Sequence, residues 1–430
     1  MNIFLYLTVL ISSPFQNTDP SYLAIVGADI HTVSDGLIQD GIILCKDNRI
    51  LKVGKRVRIP DSAQVVDASG MHVYPGLIAV DASGILNGRG RDIADSYDPY
   101  KLNLDLALAG GITTVQTGGM VAKLKHGTID NVLVGPTEWV NMNYSSTSPA
   151  GRRRIREEFS KARDFLRQYR SWELSRSLQE EVGEEPEPKG VKEEYLRLLS
   201  GEATARLSAD SLKDLLSTCK LLEEYPMQSV VFGGQEAWAC ASRLGRSGAR
   251  LIITPRDKKW ENDDLNRPSG WSIENANKLW EHGVKFAILP AENYISTSGL
   301  AGRDLMTLPM EAAFAIRGGL PQSYALRSIT IDAAEILGID HRVGTIEPGK
   351  DADLIICDGD LFHYRTFVQW ALVDGQVVYD KQKASYFAHI RPREEEVIDE
   401  TEEVVDETEE VIDEIEEVDT IDAPEVVENP

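Results

Sequence analysis

Residues 343–354 read VGTIEPGKDADL and lead into the apolar run Asp353–Cys357, which predicts a β-strand. Downstream, the dipeptide Asp374-Gly375 separates two further apolar runs and is typical of a tight β-hairpin. Residues 22–73 have the same texture of short apolar runs separated by turns. Two β-rich blocks therefore flank a long middle section.

The middle section alternates predicted strands and helices. The clearest examples are the strand Ile112–Gln116, the amphipathic helix Arg152–Glu181, the helices Leu212–Tyr225 and Ala237–Leu244, and the strands Ser229–Phe232 and Arg250–Thr254. Repeated βα units with right-handed crossovers predict a parallel sheet, and their number favours a closed barrel. We expect an α/β fold: a (β/α)8 TIM-like barrel plus a small β-sandwich domain built from the N- and C-terminal segments.

The negative charge of the chain is concentrated at its C-terminus. The net charge is −24, but residues 394–430 contain 19 acidic residues and no Lys or Arg, which leaves 50 acids against 45 bases elsewhere. The body therefore has no basic excess, and we expect no nucleic-acid partner. Residues 394–430 follow a seven-residue repeat, but like charges oppose a helix there, so we expect a disordered acidic tail. A segment that docks a partner or collects calcium is the alternative.

The N-terminus carries an apolar run over residues 3–11, followed by Ser12, Ser13 and Pro14. The run is too short to span a bilayer of about 30 Å, and it lacks a basic start and an A-x-A cleavage site. We interpret residues 1–18 as a signal peptide and expect export to the periplasm or cell envelope. The alternative is a strand or helix that begins a cytoplasmic protein. No other stretch approaches 18 consecutive apolar residues, so an integral membrane protein is not expected.

Two motifs resemble the amidohydrolase superfamily, specifically its imidazolonepropionase-like branch. They are Met71–Ala79 (MHVYPGLIA) and Val343–Leu354, and Ala109–Val115 is similar to the second barrel strand of that family. The resemblance covers about residues 22–380. It implies a barrel over residues 75–342 and a composite β-sandwich over residues 19–74 and 343–385. It also implies hydrolysis of amide, lactam or ester-like bonds by one or two divalent metals, such as zinc, that generate hydroxide.

The metal ligands that the resemblance implies are replaced in this sequence. The first His-x-His pair, expected shortly after Pro75-Gly76, reads Asp81-Ala82-Ser83. The later ligand positions fall near Gly233–Gln235, near Thr254-Pro255 and near Ile288–Ala291, and none of these stretches contains histidine. A lysine that bridges two metals is also missing from residues 131–134, and Lys123 and Lys125 would fit only if the frame were shifted.

The number of histidines leads to the same expectation. Only His126, His282 and His341 fall in the barrel section, so a four-histidine site cannot be built. A three-ligand zinc site would need Asp81 and His126 plus a third residue that the sequence does not identify. His282 stands at a predicted helix end, where a cation is favoured for structural reasons. The sequence therefore predicts no metal ligand and no metal cofactor.

The polar residues expected at the barrel mouth are Asp81, Ser83, Gln235 and Asp257. Asp81 is the catalytic candidate, and the four together are candidate binding residues. Asp257 is followed by Lys258 and Lys259, and a solvated loop rim is the favoured interpretation of the cluster that they form with Asp81. Arg152-Arg153-Arg154 indicates either an anion site or the start of a surface helix, where three bases oppose the helix dipole.

Three functions are compatible with these observations. The leading hypothesis is an amidohydrolase-family protein that has lost metal-dependent catalysis and acts as a binding or partner subunit. Its partner would be an intact amidohydrolase homologue or a second copy of the chain. The first alternative is an active hydrolase with a reduced site that uses Asp81. The second is a structural protein that assembles through its acidic tail.

Overall fold

The structure is a computed structural model that describes residues 21–86, 92–178, 183–258, 260–297 and 302–386. The predicted signal peptide, the acidic tail and Lys259 lie outside the described residues. All helices and strands given below fall within residues 22–380. Over the described ranges, no helix is both long enough and apolar enough to cross a membrane.

The chain begins with five strands of a mixed sheet. They are β1 (Tyr22–His31), β2 (Leu37–Lys46), β3 (Arg49–Gly54), β4 (Gln64–Asp67) and β5 (His72–Pro75). β1 and β2 pair antiparallel, whereas β4 and β5 pair parallel to β1. Apolar side chains from these strands, among them Ile25, Ile43 and Val73, are fully buried and form one side of a hydrophobic cluster. Burial of such side chains stabilises the sheet by roughly 1.5–3 kcal/mol per residue.

The middle section opens with strands and short helices. These are β6 (Leu77–Ala79), α1 (Ile93–Ser96), α2 (Leu102–Ala109), β7 (Ile112–Thr117), β8 (Met120–Lys123), β9 (Leu133–Pro136), β10 (Trp139–Met142), α3 (Pro149–Ser177) and α4 (Glu193–Ser200). β6 pairs parallel with β7, and β8 and β9 form an antiparallel extension of the same sheet. The long helix α3 begins after Ser148, whose side chain accepts a hydrogen bond from the Gly151 N–H.

Regular βα alternation follows. The elements are β11 (Thr204–Ala209), α5 (Leu212–Glu224), β12 (Ser229–Gly233), α6 (Ala241–Ser247), β13 (Arg250–Ile253), α7 (Asn275–Glu281), β14 (Phe286–Ile288), α8 (Leu308–Arg317), α9 (Gln322–Ser328) and α10 (Ile331–Leu337). The strands β10, β11, β12, β13 and β14 pair in that order, all parallel. Their carboxyl ends therefore share one edge, and side chains at that edge can meet.

The chain then returns to the first sheet. β15 (Leu354–Cys357), β16 (Val368–Val373) and β17 (Gln376–Asp380) complete an eight-stranded sheet with the order β17-β16-β15-β5-β1-β2-β3, in which β4 pairs with β1. β15 pairs antiparallel with β5, so the N- and C-terminal segments are joined by hydrogen bonds. The predicted hairpin at Asp374-Gly375 is present, with φ angles of 50° and 71° at the two residues.

Two features of the middle section differ from the sequence prediction. The predicted helix Ala237–Leu244 is a 3₁₀ turn at Ala237–Ala239 followed by α6, which begins at Ala241. Strands β10 and β11 were not predicted. β10 is only four residues long and precedes α3, and β11 lies between α4 and α5 and contains one long apolar residue, Leu207. They provide three of the residues at the candidate site, Trp139 and Asn141 from β10 and Arg206 from β11.

Candidate functional site

The mouth of the parallel sheet contains an ion pair between Asp81 and Arg206. Asp81 follows β6, Arg206 lies on β11, and 3.1 Å separates Arg206 Nη2 from Asp81 Oδ2. Both side chains are 31% exposed, so the pair is partly shielded and still accessible to a ligand. The structure thus joins a residue predicted from the sequence to one that was not.

The backbone at Asp81 is held in a conformation that a non-glycine residue rarely adopts. Its φ angle is 54°, in the left-handed region, which costs roughly 1 kcal/mol or more and is typical of functional sites. The Asp81 N–H donates to Oε1 of the buried Gln116 at 2.9 Å, and the Asp81 carbonyl accepts from Asn293 Nδ2 at 2.7 Å. Two side chains from distant parts of the chain therefore hold the backbone of Asp81, from which its carboxylate extends.

Burial and the neighbours of Asp81 act on its pKa in opposite directions. Desolvation raises the pKa of Asp81 above its usual value, while Arg206 and then Asn293 favour the charged form. Burial is the larger effect, so the pKa of Asp81 stays raised. The carboxylate is thus partly desolvated and only partly compensated by Arg206.

The guanidinium of Arg206 lies over an aromatic ring. Its guanidinium carbon is 4.1 Å from the centre of the Phe232 ring on β12, and Trp139 on β10 meets Phe232 edge to face at 5.7 Å. Nη1 of Arg206 donates to Asn141 Oδ1 at 3.3 Å. Its Nε is buried and has no hydrogen-bond acceptor among the described residues. The guanidinium is therefore oriented by neighbours that leave part of its donor capacity unused.

Ser83, the second residue in the frame of the missing histidine pair, is bound to Asn293. Ser83 Oγ donates to Asn293 Oδ1 at 3.0 Å, and the Ser83 N–H donates to the Asn293 carbonyl at 2.6 Å. Asn293 follows β14 and contacts both Asp81 and Ser83, which makes it a positioning residue for this corner of the mouth.

Gln235 and Asp257 form a second pair. Gln235 Nε2 donates to Asp257 Oδ2 at 2.7 Å, and Arg303 lies 3.9 Å from Asp257 Oδ1. No hydrogen bond or salt bridge in the described part of the chain joins this pair to Asp81 or Ser83. Lys258 points to the Trp260 ring, with 4.3 Å between Nζ and the ring centre. The four predicted residues therefore form two separate groups. Asp81 and Ser83 are joined through Asn293, and Gln235 is bonded to Asp257.

The histidines and lysines considered as metal ligands occupy other environments. His126 is exposed and meets Tyr100 edge to face at 5.5 Å, His341 is exposed, and His282 caps the C-terminus of α7. Lys123 is fully buried between Asp351 at 2.7 Å, Asp353 at 3.0 Å and Asp374 at 2.5 Å. Within the described ranges, no three His, Cys, Asp or Glu side chains come together as a metal-binding group.

Arg206, Asn141, Gln116 and Asn293 were missed by the sequence interpretation. The residues of β11 read TARLSA, in which Ala205, Leu207 and Ala209 are buried and Arg206 and Ser208 are not. This alternation is the signal of a half-buried strand that faces a polar site. Nothing comparable marks Asn293, which follows a strand in an irregular loop.

Comparison with known proteins identifies similar chains. Residues 263–385 match the amidohydrolase family. An imidazolonepropionase from Mesorhizobium japonicum is 23% identical over 372 residues, which cover 75% of this chain and 87% of that protein. Adenine deaminase 1 from Desulfotalea psychrophila is 42% identical over 72 residues, 17% of this chain. The chain matches only 12% of the length of that deaminase.

A solved structure extends the similarity to the fold. An amidohydrolase from Thermotoga maritima MSB8 aligns with a TM-score of 0.64 at 24% identity, over 83% of this chain and 100% of that chain. The predicted fold class, an α/β barrel with a smaller β-domain, is confirmed by this similarity.

The prediction that the chain has no metal cofactor is contradicted by these matches, since proteins of the amidohydrolase family typically use metals. The described residues around Asp81 do not fit such a site. Ser83 is a poor zinc ligand, and Arg206 places a positive charge against the one carboxylate. A metal held by this chain would therefore need donors other than the positions named from the sequence.

Proposed function

We propose that this chain, which is similar to proteins of the amidohydrolase family, is a binding or partner subunit that no longer hydrolyses its ligand. The ion pair between Asp81 and Arg206 carries this proposal. The Asp81 carboxylate would have to give up this ion pair before Oδ2 could accept a proton as a general base, because Oδ2 already accepts from Arg206. The fixed charge of Arg206 also competes with any other cation for Asp81.

The ligand that this mouth suits best is a small molecule with a carboxylate next to an amide or amine. A guanidinium can bind a carboxylate through two parallel hydrogen bonds, and Phe232 packs against the guanidinium of Arg206. Asp81 supplies an acceptor for the N–H of the same ligand. Trp139 and Phe232 supply apolar area for its side chain. N-acyl amino acids and dipeptides combine these features.

Calorimetric titration with an N-acetyl amino acid tests the proposal. We expect saturable binding to the full-length chain, at least about tenfold weaker binding of the same compound with its carboxylate amidated, and a similar loss in Arg206→Met. Arg243→Met is the control, because Arg243 pairs with Glu223 on exposed helix surfaces. Equal binding of the acid and the amide would contradict the proposal, as would metal-dependent hydrolysis of the ligand.

A hydrolase that uses Asp81 is the second candidate. It is supported by the raised pKa of the Asp81 carboxyl and by the left-handed backbone at this residue. Asp81→Ala tests it, since an activity established for the chain and unchanged in this variant would remove Asp81 from catalysis. The partner of a non-hydrolysing subunit is proposed to be an intact homologue or a second copy, and light scattering of the full chain distinguishes these two.

A further inference from the structure

A cavity of about 330 Å³ lies between the start of α3 and the middle of α5. Its lining includes Tyr144, Arg152, Arg153, Arg156, Ser217 and Lys220. Four of these side chains are cationic, and two others carry hydroxyl groups. The volume is at the lower end of the range of about 300–1,000 Å³ in which small-molecule sites fall.

The positive charge of this cavity is only partly compensated. Arg156 Nη2 pairs with Glu224 Oε2 at 3.0 Å, and Arg152 Nη1 donates to Ser217 Oγ at 2.9 Å. Arg153 and Lys220 are exposed, and neither forms a salt bridge with a described acidic residue.

The acidic residues near the cavity have other partners, apart from Glu224, which pairs with Arg156. Asp214 lies close enough to Arg152 to interact electrostatically, but it accepts hydrogen bonds from the Ser146 N–H and from Ser211 Oγ. Glu223 interacts electrostatically with Lys220, but its two carboxylate oxygens accept hydrogen bonds from Nε and Nη2 of Arg243. The cavity therefore retains an excess of positive charge in a chain whose overall charge is −24.

The bases at the start of α3 do not stabilise this helix end. The first turn of α3 contains no acidic residue, and Arg152 and Arg153 lie at its fourth and fifth positions. A base close to a helix N-terminus opposes the helix dipole, and the effect falls off beyond the first turn. Local choices that contradict the fold in this way are expected at functional sites.

We propose that this cavity binds a small ligand that carries a phosphate group. The guanidinium groups of two arginines and the ammonium group of a lysine match the double charge and the several oxygens of a phosphate better than the single charge of a carboxylate. The hydroxyl groups of Tyr144 and Ser217 add polar atoms at the same cavity. The four cations surround one concavity and form no extended stripe, which favours a small ligand over a nucleic acid. None of the residues that form the Asp81–Arg206 site lines this cavity, so the assignment goes beyond the function proposed above.

Calorimetric titration of the full-length chain with inorganic phosphate at low ionic strength tests the site. The test variant is Arg153→Gln combined with Lys220→Gln, which removes two positive charges from exposed positions. Its control is Arg167→Gln combined with Arg170→Gln, because these exposed arginines of α3 lie outside the cavity and their loss changes the net charge equally. Acetate serves as a carboxylate probe, and a short RNA oligonucleotide as a polymeric one.

We expect one phosphate per chain in the wild type, binding weakened at least about tenfold in the cavity variant, and no change in the control variant. Absence of saturable phosphate binding would overturn the proposal, as would equal weakening in both variants. Acetate binding as tight as that of phosphate would assign the cavity to carboxylates instead. RNA binding that both variants weaken alike, in the absence of phosphate binding, would assign the surface to a nucleic acid.

Discussion

Arg206 reaches from β11 to Asp81 at the end of β6, with 3.1 Å between Nη2 and Oδ2, and these two residues are 125 positions apart in the chain. The pair links the first strand of the parallel section to its central five-stranded sheet. It therefore couples the stability of the mouth to the charge state of one carboxylate.

Arg206→Met is expected to raise the pKa of Asp81 further, because the variant removes the cation that offsets burial. At pH 7 the unpaired carboxylate should lower the free energy of unfolding by about 1 kcal/mol. The loss should disappear as the pH falls below the raised pKa, where Asp81 is neutral. Carboxyl carbon chemical shifts followed by NMR measure the pKa, and urea unfolding measures the stability.

The double variant Asp81→Asn with Arg206→Met is the control for that experiment. It lacks both charges, so its stability relative to the wild type should vary less with pH than that of the single Arg206→Met variant. An unchanged Asp81 pKa in Arg206→Met would contradict the electrostatic role assigned to the pair.

Lys123→Met is expected to destabilise the fold severely, by about 3–5 kcal/mol, because it leaves buried carboxylates without their common partner. Lys123 is fully buried and contacts Asp351, Asp353 and Asp374, which lie on the β-rich side of the molecule. Lys125→Met is the matched control, since Lys125 is 13% exposed and pairs with one acid among the described residues, Asp374. Its expected cost is lower, below about 3 kcal/mol, because Asp374 keeps Lys123 as a partner in this variant. Equal losses in the two variants, measured by urea unfolding, would show that Lys123 does not organise the cluster.

His31 should make the fold less stable in mild acid. Burial, and then the neighbouring His72, lower the pKa of His31 from 6.5 to about 4, and Asp360 and Asp29 oppose the shift. The unfolded chain binds a proton below about pH 6.5 that the folded chain resists, so this contribution to stability is present above pH 6.5. It is lost as the pH falls toward 4.

His31→Gln tests this dependence, because glutamine does not titrate. The variant should show a shallower decline in the free energy of unfolding between pH 6.5 and 4 than the wild type does, measured by denaturant unfolding at each pH. Parallel curves for the two proteins would refute the assignment. Loss of the stacking between His31 and Tyr74, whose ring centres are 4.2 Å apart, would lower the curve at all pH values without changing its slope.

Local signals predicted most of the fold. The Asp374-Gly375 dipeptide predicted a hairpin that requires positive φ at both residues, and both have it. The apolar spacing of residues 212–225 predicted α5, which ends one residue earlier. These elements follow from short-range chemistry, so the sequence alone is sufficient to place them.

The candidate site depends on long-range contacts that no local pattern encodes. Asp81 and Ser83 were predicted at the mouth, but Asn293, which holds both, lies 212 and 210 residues away. Arg206 resembles a surface arginine until β11 places it over Phe232. Arg206, the Phe232 ring and the Asp81 carboxylate come from three separate strands or loops, which only the fold brings together.

The most direct test of the proposed function is turnover. The full-length chain, incubated with zinc and freed of excess metal, would be mixed with N-acetyl amino acids and dipeptides, and the released amino acids quantified by chromatography. A chelator-treated sample would serve as the control. We predict binding without release of product above the rate in buffer. Product release that the chelator abolishes and Asp81→Asn reduces would contradict the account and establish the chain as an active hydrolase.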